Sequence, residues 1–136
     1  MYKKIIVPVD CGALDRGATI LETASNLLAE GGDIVLLTVV EDVPGYLAID
    51  LPVDMIENAI EDGKAKLVGL KEKTGVAARV EIRTGAPARE ILAAAEEHSA
   101  DLIIVASHVP DYSNYFIGAT ADRIVRHSKC SVLVDR

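Results

Sequence analysis

Two short segments near the C-terminal end of the chain have the residue types of a phosphate-binding site. Gly118-Ala119-Thr120 opens a stretch with helical spacing, and a helix start presents unpaired backbone N–H groups and the positive end of the helix dipole. The Thr120 hydroxyl adds a donor there, although it can equally cap the helix. Ala106-Ser107-His108 directly follows an apolar run. Together the two segments predict a strand, a loop and a helix whose N–H groups hold phosphate oxygens.

Asp10 and His108 are the titratable residues best placed to join such a site. Asp10 ends the first apolar run, where its carboxylate can accept hydrogen bonds from a ribose hydroxyl or an adenine amino group. A solvated loop carboxylate or a cap for the next helix explains Asp10 equally well. His108 follows the fourth apolar run, but no Ser or Cys is placed to use it as a base. We therefore predict a binding site with no catalytic residues and no metal ligands.

Five apolar runs predict strands, and four stretches between them predict helices. Four of the runs are nearly continuous, which is typical of strands buried on both faces, whereas the third alternates and indicates an edge strand. Gly31-Gly32 should end the first helix. The predicted strands are 5–9, 34–40, 78–82, 102–105 and 132–134, and the predicted helices are 14–30, 54–73, 87–98 and 119–127.

This alternation predicts one α/β domain over residues 1–136, with helices on both faces of an open, doubly wound, five-stranded parallel sheet. We expect the strand order 3-2-1-4-5. Ligands of such sheets bind outside the carboxyl ends of the strands where the winding reverses, which here is between strands one and four. Asp10 and Ala106 should therefore lie at one crevice, bordered by the irregular segment 41–52.

Composition and charge narrow the class of function. Half of the 136 residues are apolar, enough for one well-buried core. The formal net charge of −7 argues against nucleic acid and anionic membranes as partners, because both attract basic surfaces. The sequence shows no signal peptide and no membrane span, so we expect a cytoplasmic protein. Cys11 and Cys130 are expected to be free thiols at opposite ends of the sheet, with Cys11 a packing residue.

The chain resembles the universal stress protein family along nearly its whole length. The resemblance rests on the order and spacing of its pieces: the opening 2–10, the strand ending Leu37-Thr38-Val39, the Gly85-x-Pro87 turn, and the segments 100–105 and 118–134. Nucleotide-binding members carry Gly-x-x-Gly, nine residues, then Gly-Ser/Thr. The corresponding residues here are Ala106-Ser107-His108-Val109, eight residues, then Gly118-Ala119.

These departures predict a weakened phosphate cradle. Ala106 adds a methyl group where the backbone should approach the phosphates, Val109 resists positive φ, and Pro110 supplies no N–H donor. Ala119 removes a hydroxyl that the neighbouring Thr120 can replace. Adenine-nucleotide binding is therefore expected to be weak or lost.

The resemblance also implies which residues form the nucleotide site. Pro8, Val9, Asp10 and Val39 would line an adenosine pocket, and all four are intact. The ligand would be ATP or AMP with magnesium. The phosphate side would consist of Ala106, Ser107, His108, Gly118, Ala119 and Thr120.

The resulting hypothesis is a homodimeric binding or regulatory module in the stress response. The dimer would form through strand 131–135, because an exposed apolar edge strand is a liability unless it is paired. One alternative is a slow ATP hydrolase or phosphotransfer enzyme using His108 or Asp122, although the chain lacks a Walker-type lysine. Another is a phospho-acceptor receiver domain built around Asp10, but the acidic cluster and the lysine that receivers need are not in place.

Overall fold

Strands and helices alternate along the chain, as the apolar pattern predicts. The computed structural model describes residues 1–41, 54–107 and 118–136. In chain order the elements are β1 Tyr2–Pro8, α1 Leu14–Leu27, β2 Leu28–Val40, α2 Met55–Thr74, β3 Arg79–Thr84, α3 Pro87–Glu97, β4 Leu102–Ala106, α4 Ala119–His127 and β5 Ser131–Asp135.

All neighbouring strands are parallel, and their order is β3-β2-β1-β4-β5. This confirms the predicted doubly wound sheet, with the alternating third strand at an edge. The winding reverses between β1 and β4. Receiver domains have the order 2-1-3-4-5, so the topology excludes the receiver alternative.

The helices cover the sheet in two layers, each with its own apolar core. Successive side chains along a strand point to opposite faces, so Ile5 and Val7 pack with α1 and α2 while Ile6 packs with α3 and α4. All three residues are fully buried. The continuous apolar strands therefore have the two-sided burial that their composition predicts.

The end of the first helix differs from its prediction. α1 ends at Leu27, and Leu28 already has extended backbone and pairs with Tyr2. The next pair along the ladder is Lys4 with Asp33, so β2 contains a bulge between its two pairings. Gly31 has φ +78°, and a Cβ on Gly32 would lie 2.8 Å from the backbone oxygen of Lys3. The two glycines therefore form the strand bulge and do not cap the helix.

In the three described ranges, no helix combines the length and the apolar composition needed to cross a membrane.

Candidate functional site

A cavity of about 390 Å³ opens at the carboxyl ends of the strands, where the winding reverses. We call it the switch-point cavity. Its walls come from the ends of β1, β2 and β4 and from the first turns of α1, α3 and α4, with α2 closing one side. The lining residues are Pro8, Val9, Asp10, Cys11, Ala13, Arg16, Gly17, Ile20, Thr38, Val39, Val40, Glu41, Ala59, Asp62, Gly63, Pro87, Ile91, Val105, Ala106, Thr120 and Ala121.

Most of the site residues predicted from the sequence lie in this cavity. Six of them line it: Pro8, Val9, Asp10, Val39, Ala106 and Thr120. Ser107 and Ala119 are chain neighbours of the lining residues Ala106 and Thr120, and Gly118 is two residues before Thr120; these three do not line the cavity themselves. His108, Val109 and Pro110 lie outside the described residues, as does most of the segment 41–52.

Asp10 holds the turn between β1 and α1. Its Oδ1 accepts a hydrogen bond from the backbone N–H of Gly12 at 2.8 Å, and its carbonyl oxygen accepts one from the N–H of Ala13 at 2.9 Å. Asp10 is also among the residues that line the cavity. Its side chain therefore stabilises the local turn, and among the described residues no side-chain hydrogen bond caps α1.

A buried hydroxyl group, that of Thr38, links the ends of β1 and β2 at the cavity. Thr38 Oγ1 donates a 2.7 Å hydrogen bond to the carbonyl oxygen of Val9, and Thr38 is 5% exposed. Cys11 Sγ lies 3.6 Å from the same Thr38 oxygen. The Thr38–Val9 hydrogen bond fixes the ends of β1 and β2 relative to each other. Cys11 lines the cavity, a position that its interpretation as a packing residue did not include.

The start of α4 presents the predicted anion-binding feature. Gly118 is the residue preceding the helix and has φ +87°, a conformation that favours glycine. Thr120 is then the second helical residue and lines the cavity. Asp122, in the first turn, pairs with Arg126 at 3.1 Å and does not line the cavity. The helix dipole therefore already has one carboxylate beside it.

Among the described residues of the cavity wall, Arg16 is the only lysine or arginine, and it was not predicted from the sequence. One of its terminal nitrogens, Nη2, donates to the carbonyl oxygens of Asp135 at 2.7 Å and Ser107 at 3.2 Å. It also lies 3.8 Å from the Asp135 carboxylate. Arg16 thereby ties α1 to the ends of β4 and β5. No motif marks this role, because the partners are about 90 and 120 residues away in the chain.

Acidic side chains outnumber basic ones in the cavity wall. Among the described lining residues, Asp10, Glu41 and Asp62 are acidic, and Arg16 is the only lysine or arginine. Asp62 forms a 2.9 Å ion pair with Lys66 one turn further along α2, and the hydrogen bond from Lys66 to Asp62 raises the pKa of Lys66 above its ordinary value. The described lining is therefore net negative, which opposes the binding of phosphate groups.

The sequence profile of the Universal stress protein family matches residues 1–136, which is the whole of the chain. The chain belongs to this family. Universal stress protein MJ0531 of Methanocaldococcus jannaschii is 27% identical over 141 residues, which cover 98% of this chain and 82% of the relative.

Solved structures share the fold. The structure of MJ0577 superposes with a TM-score of 0.77 at 25% identity, covering 98% of this chain and 95% of the other. A universal stress protein family member from Arabidopsis thaliana, solved with AMP bound, is 16% identical with a TM-score of 0.61, covering 97% of this chain and 90% of the other. At that identity the likeness shows the fold alone.

Proposed function

We propose that this protein is a cytoplasmic regulatory module of the stress response, and that it binds an adenine nucleotide weakly in the switch-point cavity. One observation carries the proposal: the ends of β1, β2 and β4 and the start of α4 contribute to the same cavity. Its volume of about 390 Å³ lies within the range of small-molecule sites, which runs from about 300 to 1,000 Å³.

The adenosine half of the site has suitable walls. Val9 and Val39 supply apolar surface against which a planar base can pack, and Pro8 extends that surface. Asp10 supplies a carboxylate that can accept hydrogen bonds from ribose hydroxyls or from the adenine amino group. An apolar pocket with a few fixed polar groups is the usual form of a nucleoside site.

The part of the cavity that would hold the phosphates has fewer suitable groups than that of nucleotide-binding family members. We therefore propose weak binding. The N–H groups at the start of α4 and the Thr120 hydroxyl remain as donors. Ala106 stands in the wall with a side chain where nucleotide-binding members have glycine. The AMP found in the Arabidopsis relative supports the choice of an adenine nucleotide as the ligand.

The geometry favours binding over catalysis. Asp122, one of the two side chains considered for phosphate transfer, faces Arg126 and lies outside the cavity wall. The other, His108, lies outside the described residues. The described lining offers no lysine to the phosphates of ATP. We therefore propose that the protein acts by binding its ligand and not by hydrolysing it or transferring its phosphate.

The proposal includes a homodimer formed through β5. β5 is an edge of the sheet, with β4 as its neighbour. Val132, Leu133 and Val134 are half-buried, and they pack against the two cores from opposite faces. Pairing of this edge with the β5 of a second copy would satisfy its backbone groups and cover the apolar side chains that remain exposed.

Calorimetry with AMP and with magnesium-ATP tests the ligand. We expect dissociation constants between about 10 μM and about 1 mM. Val39→Trp should abolish binding by filling the cavity, whereas Val125→Trp, on the exposed surface of α4, should leave it unchanged. Thermal melts of both variants check that each is folded. Absence of heat and of stabilisation with the wild type at millimolar nucleotide would refute the proposal, and so would unchanged binding by a folded Val39→Trp protein.

A further inference from the structure

The charge distribution of the switch-point cavity leads to a second proposal, which rests on the proposed function. We propose that the cavity selects adenine compounds by low phosphate charge, so that adenosine and AMP bind more tightly than ADP or ATP. Three acidic residues, Asp10, Glu41 and Asp62, are among the described residues that line the cavity. Each further phosphate on the ligand adds negative charge near these groups.

Arg16, the one lysine or arginine among the described lining residues, offsets only part of this negative charge. Arg16 already donates to two backbone carbonyl oxygens and lies beside the Asp135 carboxylate. These contacts all involve Nη2 and hold that end of the guanidinium at the ends of β4 and β5. The nearby Asp135 carboxylate already offsets part of its positive charge.

The two segments outside the described residues do not add a cationic side chain of Lys or Arg. None of the 14 Lys and Arg residues lies in 42–53 or in 108–117. Both segments contain aspartate: Asp42, Asp50 and Asp111. Whatever their conformation, these segments bring no lysine or arginine to neutralise a triphosphate.

Asp62 is the residue through which this selectivity can be changed. It is part of the cavity wall, and Lys66 pairs with it from outside the lining. Asp62→Asn removes one negative charge and releases the Lys66 ammonium from its ion pair. Lys66→Met has the opposite effect, because the Asp62 carboxylate is then uncompensated. Glu61→Gln is a matched control that removes one negative charge from the adjacent, exposed position of α2 without touching the cavity wall.

The test is calorimetry with adenosine, AMP, ADP and ATP, without magnesium, on the wild type and the three variants. In the wild type, adenosine should bind at least about tenfold more tightly than ATP. Asp62→Asn should raise ATP affinity about fivefold and Lys66→Met should lower it by a similar factor, whereas adenosine affinity should change less than about twofold in both. Raising salt from about 20 mM to about 500 mM should strengthen ATP binding, because salt screens the repulsion.

Each outcome decides between the two proposals. If none of the four compounds binds the wild type, the proposed function fails. If ATP binds most tightly, the proposed function stands and the selectivity proposal is overturned. The selectivity proposal is also overturned if Glu61→Gln matches Asp62→Asn, since the effect would then come from the overall charge, or if the Asp62 and Lys66 variants shift ATP affinity in the same direction.

Discussion

Gly17→Ala should destabilise the protein even though alanine is the better helix former. Gly17 lies within α1 and is buried against the cavity wall. An added Cβ would lie 2.7 Å from Cγ1 and 3.3 Å from Cγ2 of Val9, and 3.2 Å from Cδ1 of Leu70. Rotation of the stiff Val9 side chain exchanges one close methyl group for another. The alanine therefore displaces either Val9 or the helix.

The magnitude follows from two opposing terms. Alanine in a helix interior is favoured over glycine by about 0.5 to 1 kcal/mol, whereas overpacking a buried site costs about 1 to 3 kcal/mol. The net loss in the free energy of unfolding is then roughly 1 kcal/mol. Gly69 is the matched control, because it lies within α2 and a Cβ there would meet nothing within 4 Å. Gly69→Ala should stabilise by about 0.5 to 1 kcal/mol.

Urea unfolding at one fixed protein concentration measures both variants. With a slope of about 1.5 kcal/mol per molar, the midpoint should fall by about 0.7 M in Gly17→Ala and rise by about 0.5 M in Gly69→Ala. Because the displaced Val9 lines the cavity, AMP binding should weaken in Gly17→Ala only. Equal stabilisation by the two alanines would refute the close packing of Gly17 against Val9 and Leu70.

Two further predictions concern the dimer and acid stability. Leu133→Arg should convert the proposed β5 dimer to a monomer in sedimentation. Val80→Arg, at a half-buried position of the other edge strand that packs against the same core, should leave the proposed dimer intact. An unchanged Leu133→Arg dimer would exclude β5 as the interface. Burial of Asp101 opposes its ionisation, but the N–H groups of Lys3 and Lys4 donate to its carboxylate and hold its pKa below the ordinary value. This group therefore stabilises the fold above its unfolded-state pKa, and its contribution is lost as pH falls through the folded-state pKa. Asp101→Asn should lower the free energy of unfolding near neutral pH, and the gap from wild type should close in acid; a gap independent of pH in urea titrations would contradict this.

The sheet was predictable because its signals are local. Each buried strand has a continuous apolar run of its own, and the handedness of parallel crossovers leaves few ways to arrange five of them. Gly31-Gly32 was misassigned because a glycine pair after an apolar stripe is typical of a helix end. The extended backbone of Leu28 and its pairing with Tyr2 show that the chain is already a strand there.

The site was predictable in part, for a related reason. Asp10 and Thr120 each sit at the end of an element, and in a doubly wound sheet the switch point brings such ends together. Arg16 and Asp62 lie inside helices, where nothing in the local sequence distinguishes them from solvated charges. Their place in the cavity wall depends on how α1 and α2 pack across the sheet, which periodicity does not encode.

An amide-resolved NMR titration with AMP tests whether the switch-point cavity is the ligand site. We predict saturable shifts that cluster at Val9, Asp10, Val39 and Thr120, which the fold brings to this cavity. The amide of Cys130, which lines a second cavity formed by other residues, should not move. Shifts confined to that second cavity, or no saturable shift at millimolar AMP, would contradict AMP binding in the switch-point cavity.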